Sequence, residues 1–263
     1  VIYDYGLGIG GPIVKDRLWF FSANRYWGSQ TFGAANNFFN KSPVFYRYEP
    51  DTSKPVYSDT YFRDIAGRFT WQATEKQKVS IQLNYQRGCR CWQGIAGSSD
   101  PEASFSFFYT PHYITQGSWT YPATNKFLLK SGVGYIYQGV EFSSFGYELP
   151  ERRRITNIND PERGTDIWGG TFGAFVANDN GDRQRQDNVS YFTSASYVTG
   201  SMEMQVGFDG QWGIFQQKGN PFPADGYDYI FTGGLPLQIT QFAGPFRSEG
   251  RVKKAGAYGS LRY

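Results

Sequence analysis

Few residues in this chain have the types and spacing that chemistry needs, and each set is incomplete. Gly6-Leu7-Gly8-Ile9-Gly10-Gly11 matches the spacing of dinucleotide-binding glycines, a pattern that works only between a strand and a helix whose N-terminus meets the pyrophosphate. Pro12 and the alternating stretch from Leu18 to Phe21 follow instead, so the glycines are expected to thin one face of a strand. Cys89 and Cys91 are the two cysteines of the chain, spaced C-x-C. Two thiolates without a nearby histidine make a poor zinc site. Residues i and i+2 of a regular strand lie about 6.5 Å apart, the upper edge of disulfide geometry, so a bridge calls for a local turn. His112 is the single histidine, which excludes any mechanism needing two; it is expected to hydrogen-bond at the base of a loop. No Gly-x-Ser-x-Gly elbow supplies a serine nucleophile. Asn178, Asn180 and Asp182 alternate oxygen ligands like part of a calcium loop, but Gly181 is misplaced and no Glu completes the set. The reading is a non-enzyme with no catalytic residue, no cofactor and no metal.

Two further sets suit binding. Glu151-Arg152-Arg153-Arg154 is either a solvated charge run or, because arginine offers a bidentate fork, a grip for phosphates. The rings Phe38, Phe39, Tyr46, Tyr48, Phe107, Phe108, Tyr109 and Trp168 either stack on a ligand or pack loops together. The candidate ligand-contacting residues are Arg152, Arg153, Arg154, Trp168, Tyr46, Tyr48, Phe108 and Tyr109.

The elements that must position these groups follow from composition and periodicity. Aromatic residues form 19% of the chain, with 20 Tyr, 23 Phe and 7 Trp, and charged residues form only 19%, against about 25% in globular domains. Mean hydropathy is −0.52, so the rings are interleaved with polar residues. A net charge of +3 with a pI near 8.7 is too mild for a nucleic-acid partner, and no basic run alternates with rings. No stretch approaches the ~18 apolar residues of a membrane helix, but a closed barrel is the other way to span a bilayer.

Alternation with period two dominates. Val79, Ile81, Leu83 and Tyr85 share one face while Lys78, Ser80, Gln82 and Asn84 share the other. Met202, Met204, Val206, Phe208, Trp212 and Ile214 repeat the pattern against Glu203, Gln205, Asp209 and Gln211. Nine strands are expected, at 3–13, 17–27, 61–73, 78–88, 113–122, 127–145, 187–198, 202–215 and 252–263. Short turns at 14–17, 74–77, 123–126 and 199–201 alternate with long polar loops at 28–60, 89–112, 146–186 and 216–251, the asymmetry of outer-membrane barrels. Trp19, Trp71, Tyr121 and Tyr197 stand beside the short turns and Trp27, Tyr61, Tyr85 and Trp212 toward the loops, as two aromatic girdles would. The fold expected is an all-β, antiparallel up-and-down transmembrane barrel.

The run Gly10-Gly11-Pro12-Ile13-Val14-Lys15-Asp16-Arg17-Leu18-Trp19-Phe20-Phe21 resembles the hairpin that starts the barrel of TonB-dependent receptors. Arg68-Phe69-Thr70-Trp71-Gln72-Ala73-Thr74, and Gly234-Leu235-Pro236 followed by Gln238-Ile239-Thr240-Gln241, resemble segments of the Oar-like branch of that family. The resemblance implies a 22-stranded barrel closed by an N-terminal plug, uptake of a bulky scarce nutrient (siderophore, oligosaccharide or peptide) bound at extracellular loops, and energy from the TonB complex. It implies an outer-membrane location among lipid and lipopolysaccharide, whose phosphates the Arg152–Arg154 run would meet, and an oxidising compartment that favours a Cys89–Cys91 disulfide over a metal. The chain opens at Val1 with no plug before it, its last strand Ala257-Tyr258-Gly259-Ser260-Leu261-Arg262-Tyr263 departs from the family's aromatic-and-acidic ending, and nine is an odd number. The expectation is therefore one domain, residues 1–263, forming the N-terminal part of a larger barrel, truncated at both ends. Two alternatives stay open: a complete small protease-like outer-membrane barrel, and a secreted β-rich adhesin or carbohydrate-binding module.

Overall fold

In a computed structural model of the chain, the described residues are 1–32, 38–41, 49–93, 104–144, 155–160, 164–168, 183–219, 227–241 and 246–263. They contain strands and no helix. In chain order these are β1 (Ile2–Val14), β2 (Leu18–Phe32), β3 (Phe38–Asn40), β4 (Pro50–Pro55), β5 (Tyr57–Gln72), β6 (Lys78–Gln93), β7 (Phe105–Pro122) and β8 (Phe127–Ser144). Then come β9 (Ile155–Asp160), β10 (Gly164–Trp168), β11 (Arg183–Thr199), β12 (Met202–Gly219), β13 (Tyr227–Thr232), β14 (Leu235–Gln241) and β15 (Phe246–Arg262).

Nine long strands form one sheet in the order β1-β2-β5-β6-β7-β8-β11-β12-β15. Every pair is antiparallel and adjacent in the meander. These are the nine strands expected from alternation, but most run several residues further toward the long connections. The alternating pattern fades there because apolar and polar residues no longer divide by parity, while the backbone ladder continues: Gln217 still pairs with Ser248, and Ser29 with Thr60.

Local chemistry fixes the short turns. Asp16 takes a positive φ of 59° between β1 and β2, and Gly200 one of 57° between β11 and β12, the left-handed region that Asp tolerates and Gly favours. In the other two turns a threonine hydroxyl serves as an acceptor: Thr74 Oγ1 accepts from the Gln77 amide at 3.1 Å, and Thr124 Oγ1 from the Phe127 amide at 3.1 Å, which the Thr124 carbonyl shares at 3.4 Å. Neighbouring turns are laced by lysines, with Lys76 Nζ donating to the Ala123 carbonyl at 2.9 Å and Lys126 Nζ to Thr199 Oγ1 at 3.5 Å.

The long connections hold structure that alternation did not predict. β3 and β4 pair antiparallel. The sheet β10-β9-β13-β14 joins two separate connections through a parallel pairing of β9 with β13. The hairpin between β13 and β14 turns on Gly233 and Gly234, with φ of 53° and 81°. The Gly233 amide donates to the Ile158 carbonyl at 2.8 Å, and Asn159 Nδ2 to Thr232 Oγ1 at 3.2 Å, tying the hairpin to β9.

Among the described residues the buried hydrophobics are only Val56, Cys89 and Val140. The apolar face of the nine-stranded sheet is bare: Val206 is 60% exposed, Ile65 58% and Leu83 51%. A sandwich core would bury these residues at about 25 cal/mol per Å²; among the described residues no second layer packs on that face.

Candidate functional site

Register sorts the side chains, because directly opposed residues lie on one face. Ile65–Tyr85–Tyr113–Tyr137 and Phe69–Ile81 run across the apolar face, which continues through Val133–Tyr191 and Phe208–Ala257. The polar face carries Arg68–Gln82–Gln116–Gly134–Ser190–Gln211–Lys254 as one row crossing seven strands.

That row curls into a trough. Arg68 on β5 and Lys254 on β15 border one hollow of about 530 Å³, floored by Gln82, Gln116, Ser190 and Gln211. Six strand spacings of about 4.8 Å would hold them roughly 29 Å apart on a flat sheet; sharing a hollow means that the sheet is curved with its polar face inward. Glycines Gly132 and Gly134 line it, where small residues suit the concave side. Lys254 pairs with Asp209 at 3.4 Å, while Arg68 has no carboxylate partner among the described residues. Such a wall offers hydrogen-bond donors and acceptors and a net positive charge, and it offers no nucleophile–base pair.

Toward the long connections the polar face becomes aromatic. Arg25 donates to Asp4 through Nε at 2.9 Å and covers the Trp27 ring at 4.7 Å. Trp27 stacks on Phe62 with centroids 5.5 Å apart, and Phe62 meets Tyr109 at 5.6 Å. Below them Asp64 accepts from Asn84 Nδ2 at 2.8 Å and Gln86 Nε2 at 3.4 Å. A second hollow of about 210 Å³ lies beside Tyr109, lined by Arg90, Phe107, Gln138, Val140, Gln184 and Gln186, with the Arg90 guanidinium 5.9 Å from the Phe107 ring centre.

Of the residues singled out in the sequence, Tyr109 and Phe107 come together at this mouth, whereas Phe108 alternates to the other face, opposite Cys89 and Glu141. Trp168 ends β10, opposite Ile155. Tyr46, Tyr48, Arg152, Arg153 and Arg154 lie outside the described residues, as do Asn178, Asn180 and Asp182. Sequence reading missed Arg25, Trp27, Phe62, Asp64 and Arg90 as one cluster; counting parity through the register would have found it.

Three local expectations change. Cys89 and Cys91 are joined in a disulfide with Cα atoms 5.3 Å apart, but without a turn: both stay in β6, paired with Tyr61 and Asp59. The strand contracts instead, and Trp92, at φ 54°, opens an irregularity just beyond. His112 sits within β7, opposite Gln86 and Gln138 beside a bulge, and not at a loop base; its Nδ1 has no hydrogen-bond partner among the described residues. Trp19 and Trp27 pair with Thr70 and Phe62 on the polar face, so neither belongs to an outward girdle. The rings on the apolar face include Trp71, Trp119, Tyr121 and Tyr197 near the turns, with Trp119 Nε1 donating to Gln77 at 3.3 Å, and Tyr61, Tyr85, Tyr113, Tyr137 and Trp212 toward the connections, where Tyr85, Tyr113 and Tyr137 are spaced 5.3 and 6.0 Å.

The glycines of β1 thin its polar face as expected, and Phe21 uses the room: a Cβ at Gly8 would stand 3.6 Å from its ring, and one at Gly10 2.9 Å. The same device recurs where Phe62 opposes Gly88 and Tyr258 opposes Gly207, each ring shielding the backbone of a glycine across the strand.

No protein-family model matches the chain, and no curated protein sequence does. Among solved structures it is similar to the outer membrane transporter YddB from Escherichia coli, with a TM-score of 0.64 and 12% identity over 98% of this chain. The chain spans 31% of the length of that transporter. At this identity the likeness is one of fold: an all-β, antiparallel up-and-down sheet matching a stretch of an outer-membrane barrel wall.

Proposed function

We propose that this chain is a section of the barrel of a TonB-dependent outer-membrane receptor of the Oar-like branch, which binds a nutrient at its extracellular loops and passes it along the polar face. The observation that carries the reading is the two-sided sheet: a bare apolar face edged by aromatic rows, and a curved polar face whose hydrogen-bonding groups suit a wet lumen. The resemblance of Gly10–Phe21 to the family's first barrel hairpin supports it, as does the fold shared with the YddB transporter.

On this reading the short turns face the periplasm, the sheet β10-β9-β13-β14 and the aromatic mouth face outside, and further strands beside β1 and β15 complete the barrel. A plug in the lumen couples it to the TonB complex. The ligand is a siderophore, oligosaccharide or peptide, and the protein performs no catalysis. An outer-membrane protease would need paired catalytic carboxylates or a base beside His112, and an adhesin would need its apolar face covered.

The test is nutrient depletion from growth medium. A strain lacking the protein should leave unconsumed a subset of the compounds that TonB-depleted cells leave unconsumed. If the deletion strain strands no compound that TonB depletion strands, the transport reading fails.

A further inference from the structure

Arg63 and Arg87 are directly opposed in the β5–β6 register, and Arg63 is also opposed to Tyr26. All three stand on the apolar face, because Tyr26 pairs with Tyr5, and Arg63 and Arg87 are each two residues beyond the Ile65–Tyr85 pair. Directly opposed like charges repel, and both arginines are exposed. The Arg63 guanidinium rests over the Tyr26 ring at 5.0 Å, and neither arginine has a carboxylate partner among the described residues.

The contrast with other charges on this face is informative. Arg185 is paired with the buried Asp187, which also accepts from the Tyr135 hydroxyl at 3.0 Å. Arg251 and Arg247 share Glu249. On the apolar face of β1, β2, β5, β6 and β7 the register places one described carboxylate, Asp59, four residues beyond Arg63 along β5. Among the described residues, the only arginines opposed to each other on this face are thus left without an anion of the protein's own.

Height fixes what can supply one. Arg63 stands eight residues along β5 from Trp71 of the turn-side ring row, roughly 19 Å at about 3.3 Å per residue and a tilt of about 45°. Long arginine stems snorkel further, which brings both guanidinium groups to the upper margin of an apolar band of about 25 Å. The geometry points to a lipid-binding site on the outer wall of the barrel, where Arg63 and Arg87, with Tyr26 beside them, clamp the phosphate of an outer-leaflet lipid headgroup. A phosphate between two guanidinium forks removes their repulsion and takes charge-assisted hydrogen bonds from both. The site rests on the outer-membrane reading above and is separate from the lumen that would carry the nutrient.

Native mass spectrometry tests it, on the protein extracted from outer membranes in mild detergent and titrated with bisphosphoryl lipid A, its dephosphorylated form, or inorganic phosphate. The wild type should retain the bisphosphoryl lipid well above the dephosphorylated one and show no adduct with inorganic phosphate at the same concentration. R63Q/R87Q should lower retention roughly tenfold, a loss in line with removing charge-assisted hydrogen bonds, while K130Q/R262Q, which removes two charges from the polar face, should leave it unchanged. Equal retention of the phosphorylated and dephosphorylated lipids by the wild type would overturn the site without recourse to any variant, and so would wild-type retention by R63Q/R87Q. Heat-modifiable migration of each protein reports the barrel independently: a wild type that migrates as a folded barrel yet shows no preference for the phosphorylated lipid refutes the site alone, whereas a wild type absent from the outer membrane refutes the barrel reading and the site together.

Discussion

Phe192 fills the space that a side chain at Gly132 would need: the two residues are directly opposed across β8 and β11, and a Cβ at Gly132 would stand 2.9 Å from Cζ of the ring. The pair lies on the polar face beside the trough, so one ring both covers a glycine backbone and shapes the wall. Gly132→Ala should therefore cost about 1–3 kcal/mol through overpacking, measured by urea unfolding in lipid vesicles. Adding Phe192→Ala should recover most of that loss, because the two changes couple through one contact. Additive losses would mean that the ring is not what excludes the methyl group.

Faces make the second prediction. Phe208 opposes Thr193 and Ala257 on the apolar side, and Leu83 opposes Gly67 and Thr115 there. Arginine at either position should cost roughly 2–4 kcal/mol near a bilayer midplane. Gln82→Arg and Gln205→Arg, on the polar side, should be tolerated within about 0.5 kcal/mol. Equal costs on both faces would indicate a sheet buried on both sides.

The third concerns pH. Glu249, beyond the apolar band on β15, accepts from Gln216 at 2.8 Å, Arg251 at 2.7 Å and Arg247 at 3.0 Å. These contacts, Gln216 first and then Arg251, hold its carboxyl down at about 2. A depressed carboxylate stabilises the folded state fully above the unfolded value of 4.5 and loses that contribution as pH falls toward 2. Amide protection of the β12–β15 pairs around Gln216 and Gly250 should accordingly fall between pH 4.5 and 2, and the fall should vanish in Glu249→Gln. Protection that drops identically in both proteins would assign the effect elsewhere.

Alternation made the barrel wall legible, since Lys78–Tyr85 divides into faces by parity alone and the structure keeps that division. Ring identity did not reveal which face a tryptophan takes: Trp19 and Trp71 stand beside adjacent turns yet lie on opposite sides, because Leu18 is the residue opposed to Trp71. The aromatic mouth was illegible for the same reason, as Trp27, Phe62 and Tyr109 come from three strands and meet only once the register is known. The parallel β9–β13 pairing joins segments more than sixty residues apart, and short polar strands carry no local period that marks a partner so distant.

The fourth prediction concerns closure. Within the nine-stranded sheet β1 and β15 each have one neighbour, and an open edge inside a bilayer leaves backbone groups unsatisfied at several kcal/mol each. The 263 residues refolded alone into vesicles should give no heat-modifiable, protease-resistant species, whereas a longer chain carrying further strands beside both edges should. A stable closed monomer from this chain alone would favour the small-barrel alternative.

Orientation in the membrane tests the central claim most directly. Single cysteines replacing Glu75 and Ser201 in the short turns, and Leu235 at the start of β14, which is 69% exposed, can be probed on whole cells with an impermeant maleimide; Cys89 and Cys91 are silent because they are joined. The account predicts labelling at position 235 on intact cells, and at positions 75 and 201 only after the outer membrane is permeabilised. Labelling of positions 75 and 201 on intact cells, with or without position 235, would contradict it.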